Sequence, residues 1–162
     1  MQHVFSFLFL CFCFFVTSIP VHAQTAAQQG GVPQAVSSQI ISIQKSCLPS
    51  RWQTPDCLKA MGESNLIMAS NYAEALQNGD HKPAADELLQ HCAASTAARE
   101  QEVPAYAMTS AMTECANTMG EIAQNTGIRP DPTHFQLFIA GVLCLSQNPQ
   151  CAALEKGIAA FK

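Results

Sequence analysis

The placement of cysteines constrains this chain more than any other feature. Eight occur in 162 residues, and two of them, Cys11 and Cys13, lie in an apolar leader. The other six, Cys47, Cys57, Cys92, Cys115, Cys144 and Cys151, are an even number, as expected of a disulfide framework in an oxidising compartment. Each consecutive pair brackets a turn: Pro49 to Thr54, the region around Glu102 to Pro104, and Gln147 to Pro149. In two antiparallel helices, residues equidistant from the connecting turn face each other. Each pair can therefore close its own hairpin, which favours 47–57, 92–115 and 144–151, although sequence alone leaves other pairings open. Loops of these sizes would each contribute roughly 2.5 to 3.5 kcal/mol on the chain-entropy account, together comparable with a domain's whole stability.

The leader sets the compartment. Val4 to Val16 is apolar except for Ser6, Pro20 breaks any helix, and Val21-His22-Ala23 presents compact residues where a signal peptidase reads. As a helix this stretch spans about 20 Å, short of the roughly 20 residues that cross a bilayer, so a signal peptide over 1–23 is expected in place of an anchor. The n-region Met1-Gln2-His3 has no Lys or Arg, and Leu8-Phe9-Leu10 lacks the small residue a lipid-modified Cys11 would need. Export to the periplasm, or secretion, follows, with cleavage after Ala23. The chain also has no Asn-x-Ser/Thr sequon, which fits a bacterial periplasm.

Past the leader, residues 24–32 are rich in Gln, Ala and Gly and read as a flexible tail. Residues 33–162 read as one helical domain. All charged residues lie beyond the leader, giving a net charge of −4 and no electrostatic basis for binding nucleic acid or an anionic membrane. No later stretch reaches membrane-spanning length. Large aromatics are few there (Trp52, Tyr72, Tyr106, Phe135, Phe138 and Phe161), so the core must come from Ala, Leu, Ile, Val and Met. That composition suits close-packed helices.

Periodicity places about six helices. Val36, Ile40, Ile43 and Cys47 form a helical stripe ended by Pro49. Thr54-Pro55 is a cap and first position, opening either a short helix before a separate one over Glu63 to Asn78 or a single helix through Gly62, with Gly79 as a C′ stop. Pro83 opens a helix carrying Leu88 and Cys92, and Pro104 opens the longest one, ended by Gly127. Asp131-Pro132 starts a helix apolar around most of its circumference, expected to be the central buried element, and Asn148-Pro149 starts the last. No strand-like alternation intervenes. The fold class expected is all-α, a disulfide-stapled, hairpin-connected bundle.

An internal echo links two of the turns. Cys47-Leu48-Pro49-Ser50 leads to Thr54-Pro55-Asp56-Cys57, and Cys144-Leu145-Ser146 leads to Asn148-Pro149-Gln150-Cys151. Both read as a helix end, Cys-Leu, a short loop, a cap, Pro and a second Cys, hence a helix–loop–helix clasp.

Chemistry-bearing patterns are sparse. There is no Cys-x-x-Cys, no His at zinc spacing from a Cys pair, no second Cys-x9-Cys copy and no Cys-x-x-Cys-His haem site. His91-Cys92 is an adjacency only. Met108, Met112, Cys115, Met119 and Ile122 follow four-three spacing; soft thioethers invite copper, but the spacing is that of a core seam. His81 sits in a polar turn, His134 in a first helical turn, and Glu100 and Glu102 flank a turn as solvated carboxylates. Gly30-Gly31 precedes no strand and makes no phosphate loop. Neither an enzyme nor a cofactor is expected, and a binding role is. Trp52, between Arg51 and Gln53 in a cysteine-bounded loop, reads as an exposed partner contact or, about as readily, as a cap on the core; the first reading makes it the surface residue to nominate.

The stretch Leu-Cys-Leu-Ser-x3-Gln-Cys-x2-Leu-x6-Phe, from Leu143 to Phe161, resembles the cysteine segment of the TrbM type of conjugal-transfer proteins. The resemblance covers about residues 142–161 and has no counterpart for Cys47 to Cys115. It implies an accessory or adaptor role in a periplasmic conjugation or type IV secretion apparatus. The alternative class is a small periplasmic immunity or inhibitor protein that binds a secreted effector, suggested by size, export and helicity. A free-standing stress or chaperone protein is a third possibility.

Overall fold

A computed structural model describes residues 34–161. The signal peptide expected over 1–23 and the tail expected over 24–32 lie outside the described residues. The described residues belong to one compact unit. Its described residues fold into six α-helices with no strand: α1 Gln34–Cys47, α2 Pro55–Asn78, α3 Lys82–Thr96, α4 Ala105–Thr126, α5 Pro132–Leu145 and α6 Cys151–Ala160. A single 3-10 turn, Ala97–Arg99, follows α3. Three disulfides staple the bundle: Cys47–Cys57 joins α1 to α2, Cys92–Cys115 joins α3 to α4, and Cys144–Cys151 joins α5 to α6. All three are the hairpin pairings that the positions of the turns favour.

The helix ends follow from local chemistry. Thr54 accepts from the backbone N–H of Cys57 at 3.4 Å and Asp131 from that of His134 at 2.8 Å, and each is followed by proline at the first position. Gly127 ends α4 in the left-handed region at φ 74°. Gly79 does not play that part. Its φ is −93°, and the left-handed residue after α2 is Asp80 at φ 63°. A Cβ at 79 would meet the tip of the Ile128 side chain, which would have to move aside.

α2 is the spine of the bundle. It runs unbroken through Gly62, packs against α1, α3 and α5 and against the 3-10 turn, and buries twelve residues. Gly62 permits this: a Cβ there would stand 2.7 Å from the backbone nitrogen of Arg99. α5, expected to be the central buried element, packs on α1, α2, α4 and α6 but leaves the centre to α2, with Phe135, Ile139, Val142 and Leu143 only half-buried. The core fills mainly with Ile, Leu, Ala and Met. Met61, Met68, Met108, Met112 and Met119 are all fully buried, so the methionine stripe of α4 is a packed seam. Met61 and Met112 both converge on Gly141, whose missing side chain gives them room.

Candidate functional site

The two echoing clasps meet. Ser50, Arg51, Trp52, Gln53 and Thr54 of the first face Gln147, Asn148, Pro149 and Ala152 of the second across a cleft of about 550 Å³. They share backbone geometry as well as sequence. The third residue after the first cysteine takes left-handed φ in both, Ser50 at 51° and Gln147 at 56°. In both, the N–H seven residues after that cysteine donates to the carbonyl four after it, Thr54 to Arg51 at 3.0 Å and Cys151 to Asn148 at 2.9 Å. The courses then diverge, because the first clasp inserts three residues before Cys57 and caps α2 with Thr54, whereas the second closes at once on Cys151.

Arg51 and Trp52 are used inside this junction. The Arg51 guanidinium donates to the carbonyls of Lys45 at 2.6 Å and Leu48 at 2.7 Å, satisfying acceptors that the end of α1 leaves open. Trp52 is only 4% exposed, and its indole N–H donates to Glu155 Oε1 at 2.8 Å. The expectation that Trp52 is an exposed partner contact is therefore corrected: its ring closes the core between the clasps. The cause is a half-buried carboxylate 103 positions away that gives the indole nitrogen an acceptor.

Two polar ties hold α6, and a third joins the first clasp to α5. Glu155 Oε1 accepts from the Ser50 backbone N–H at 2.6 Å in addition to Trp52. Gln44 of α1 donates through Nε2 to the Ile158 carbonyl at 2.6 Å and the Phe161 carbonyl at 3.1 Å, capping the end of α6. Gln53 Nε2 donates to the Leu145 carbonyl at 3.2 Å, tying the first clasp to the end of α5. Glu155 and Gln44 escape notice in the sequence because an isolated Glu or Gln on a helix reads as a solvated side chain.

The three histidines are scattered. His81 precedes α3 as its N-cap residue, without a side-chain capping bond. His91 pairs through Nδ1 with Glu114 Oε1 at 2.9 Å on the open face of α3 and α4, outside the Cys92–Cys115 bridge. His134 is 1% exposed, with Nε2 3.0 Å from Ser64 Oγ on α2. A serine and a histidine at this distance form the elementary unit of an activated nucleophile. Here both are buried within the α2–α5 contact. Burial holds the imidazole pKa below its ordinary value, against the raising effects of Asp131 and Ser64. The pair works as a neutral, hydrogen-bonded packing contact. Glu100 and Glu102 lie exposed on the 100–104 segment, and Glu100 lies 3.8 Å from the neighbouring Arg99 guanidinium. Among the described residues no group of three or more His, Cys, Asp or Glu side chains converges as a metal site would require.

The accessible aromatic surface lies elsewhere. Tyr106, in the first turn of α4, is 79% exposed. It directly follows Ala105, which lines a cleft of about 590 Å³ together with Pro55, Lys59, Arg99 and Pro104. An exposed tyrosine that follows a cleft-lining residue in the chain is of the residue type enriched in interface anchors. The sequence carries a signal, a tyrosine two residues after a helix-opening proline, but it does not distinguish an outward from an inward ring.

The chain stands apart. No family model, no curated protein and no solved structure matches it.

Proposed function

We propose that the protein is a non-enzymatic exported scaffold that acts by binding another protein, as an accessory or adaptor subunit of a conjugation or type IV secretion apparatus in the bacterial periplasm. The observation that carries this reading is that the segment resembling TrbM-type proteins coincides with a complete structural unit. Its two cysteines are bonded to each other, its Leu-Cys-Leu-Ser run ends α5, and its remainder is α6. The motif thus corresponds to a clasp that can be presented as a piece. Three disulfides suit an oxidising compartment, and no helix among the described residues is long and apolar enough to cross a membrane. A stapled scaffold also loses little freedom on association, which favours binding.

With Trp52 buried, Tyr106 and Arg99 are the residues nominated for contact. The test is direct capture by the purified mature protein of two candidates encoded beside its gene, transfer-apparatus subunits and a secreted toxin. Binding of an apparatus subunit, weakened at least about ten-fold by Tyr106→Ala with an unchanged Tm, is the expected result. Neutralisation of a toxin would move the protein to the immunity class. Turnover of a substrate by the purified protein would overturn the binding role altogether.

A further inference from the structure

We propose that Cys144–Cys151 is a redox-addressable latch, and that its reduction by a dithiol lets α6 off an apolar trough on α1 and α5.

The three bridges differ in access. Cys47, Cys57, Cys92 and Cys115 are all at most 1% exposed. Cys144 is also buried, at 3%, but Cys151 is half-exposed at the start of α6 and lines the open cleft between the clasps. A thiolate from solvent therefore has a line of approach to Cys151 that the other four cysteines do not offer.

The bridges differ equally in what they secure. Cys47–Cys57 and Cys92–Cys115 join helices that also share long apolar interfaces, α1 with α2 and α3 with α4. α6 has almost none: of its residues only Ile158 is fully buried, with Leu154 half-buried beside it. Its other attachments are the hydrogen bonds from Gln44, Ser50 and Trp52. Such bonds exchange with water at small net cost once an element is untethered. Beneath α6, Ile40 of α1 and Leu137 and Ala140 of α5 line a groove of about 240 Å³ shared with Leu154, Ile158 and Phe161. Ile40, Leu137 and Ala140 are buried while α6 is in place. Lifting α6 would expose them as one stripe.

The exchange balances with a dithiol as reductant. One of its thiolates attacks Cys151 Sγ, forming a mixed disulfide and expelling the Cys144 thiolate, which takes up a proton. The second thiol of the reductant then attacks its own sulfur in the mixed disulfide and expels the Cys151 thiolate. The dithiol is oxidised to its disulfide by two electrons, and the protein bridge is reduced to two thiols.

The test is graded reduction of the native mature protein with dithiothreitol, acid quenching, alkylation and peptide mapping. Cys144 and Cys151 should be labelled at least about ten-fold faster than the other four cysteines. In the singly reduced protein, amide exchange should quicken across 151–160 with α2, α3 and α4 still protected, and an apolar dye should begin to bind. Equal labelling of all six cysteines would overturn the proposal, as would a singly reduced protein whose α6 amides stay protected. A double variant, Cys144→Ser with Cys151→Ser, should show the open behaviour without reductant. If it unfolds globally, or binds no dye, α6 is not an independent flap and the proposal fails.

Discussion

The Trp52 indole and the Glu155 carboxylate are joined at 2.8 Å across 103 residues of chain, and the same carboxylate oxygen also takes the Ser50 N–H. This contact makes the first clasp and α6 one structure. Glu155→Ala should lower stability by about 1–3 kcal/mol, because it leaves a buried indole donor without an acceptor. Trp52→Ala should cost more, about 3–5 kcal/mol, through the cavity left by the ring. Thermal and urea unfolding measure both. A Trp52→Ala protein with unchanged Tm would contradict the burial of this ring.

His134 gives stability a pH dependence of known sign. Burial lowers its folded pKa, so the folded chain holds it neutral while the unfolded chain takes up a proton near the ordinary value of 6.5. Below that pH the unfolded state binds more protons, and stability falls as pH drops, by at most about 1.4 kcal/mol per pH unit. The Asp131 carboxylate, which favours the charged imidazole, opposes part of the effect. The loss begins near pH 6.5 and levels off once the folded imidazole itself titrates. Urea titrations at pH 7.5, 6.5 and 5.5 should show the slope in the native protein and a flatter one in His134→Gln.

Two glycines in close-packed positions should respond differently to alanine. At Gly62 the added methyl meets the Arg99 backbone nitrogen at 2.7 Å, and backbone cannot turn aside. At Gly141 it meets the end of the Met61 side chain, which can rotate. Gly62→Ala should cost about 2–3 kcal/mol and Gly141→Ala less, about 1 kcal/mol. Equal losses of midpoint in urea would contradict the distinction.

Ser50 and Gln147 hold left-handed backbone without being glycine. Gln147→Gly should therefore stabilise the protein by about 0.5–1 kcal/mol, the relief of a Cβ clash less the added freedom of the unfolded chain. Ser50→Gly should act in the same direction, since Glu155 binds the backbone at that residue and not the hydroxyl. A fall in Tm for both would mean that these conformations carry no strain.

What was legible in the sequence is what the chain decides locally. Cys47 and Cys57 are separated by one turn, so the bridge could be read from the turn, and Thr54-Pro55 and Asp131-Pro132 announce their helices because caps act within three residues. The burial of Trp52 was illegible because its partner is remote in sequence. The same holds for the 70-residue separation of Ser64 and His134 and the 114-residue reach from Gln44 to the end of α6. Periodicity says that a residue lies on the inner face of a helix, but it does not say which polar group waits there. Nor does periodicity tell which residue after α2 takes the left-handed turn: Gly79 is the residue that chemistry favours, and Asp80 is the one that adopts it.

The bridge from Cys92 to Cys115 encloses the exposed segment from Glu100 to Pro104 within a covalent ring. A protease that cuts this segment therefore releases no fragment. The nicked chain gains the mass of one water and migrates as one species until a reductant divides it. Damage at this exposed connection is thus contained, and a chain cut there keeps both halves of its scaffold covalently joined.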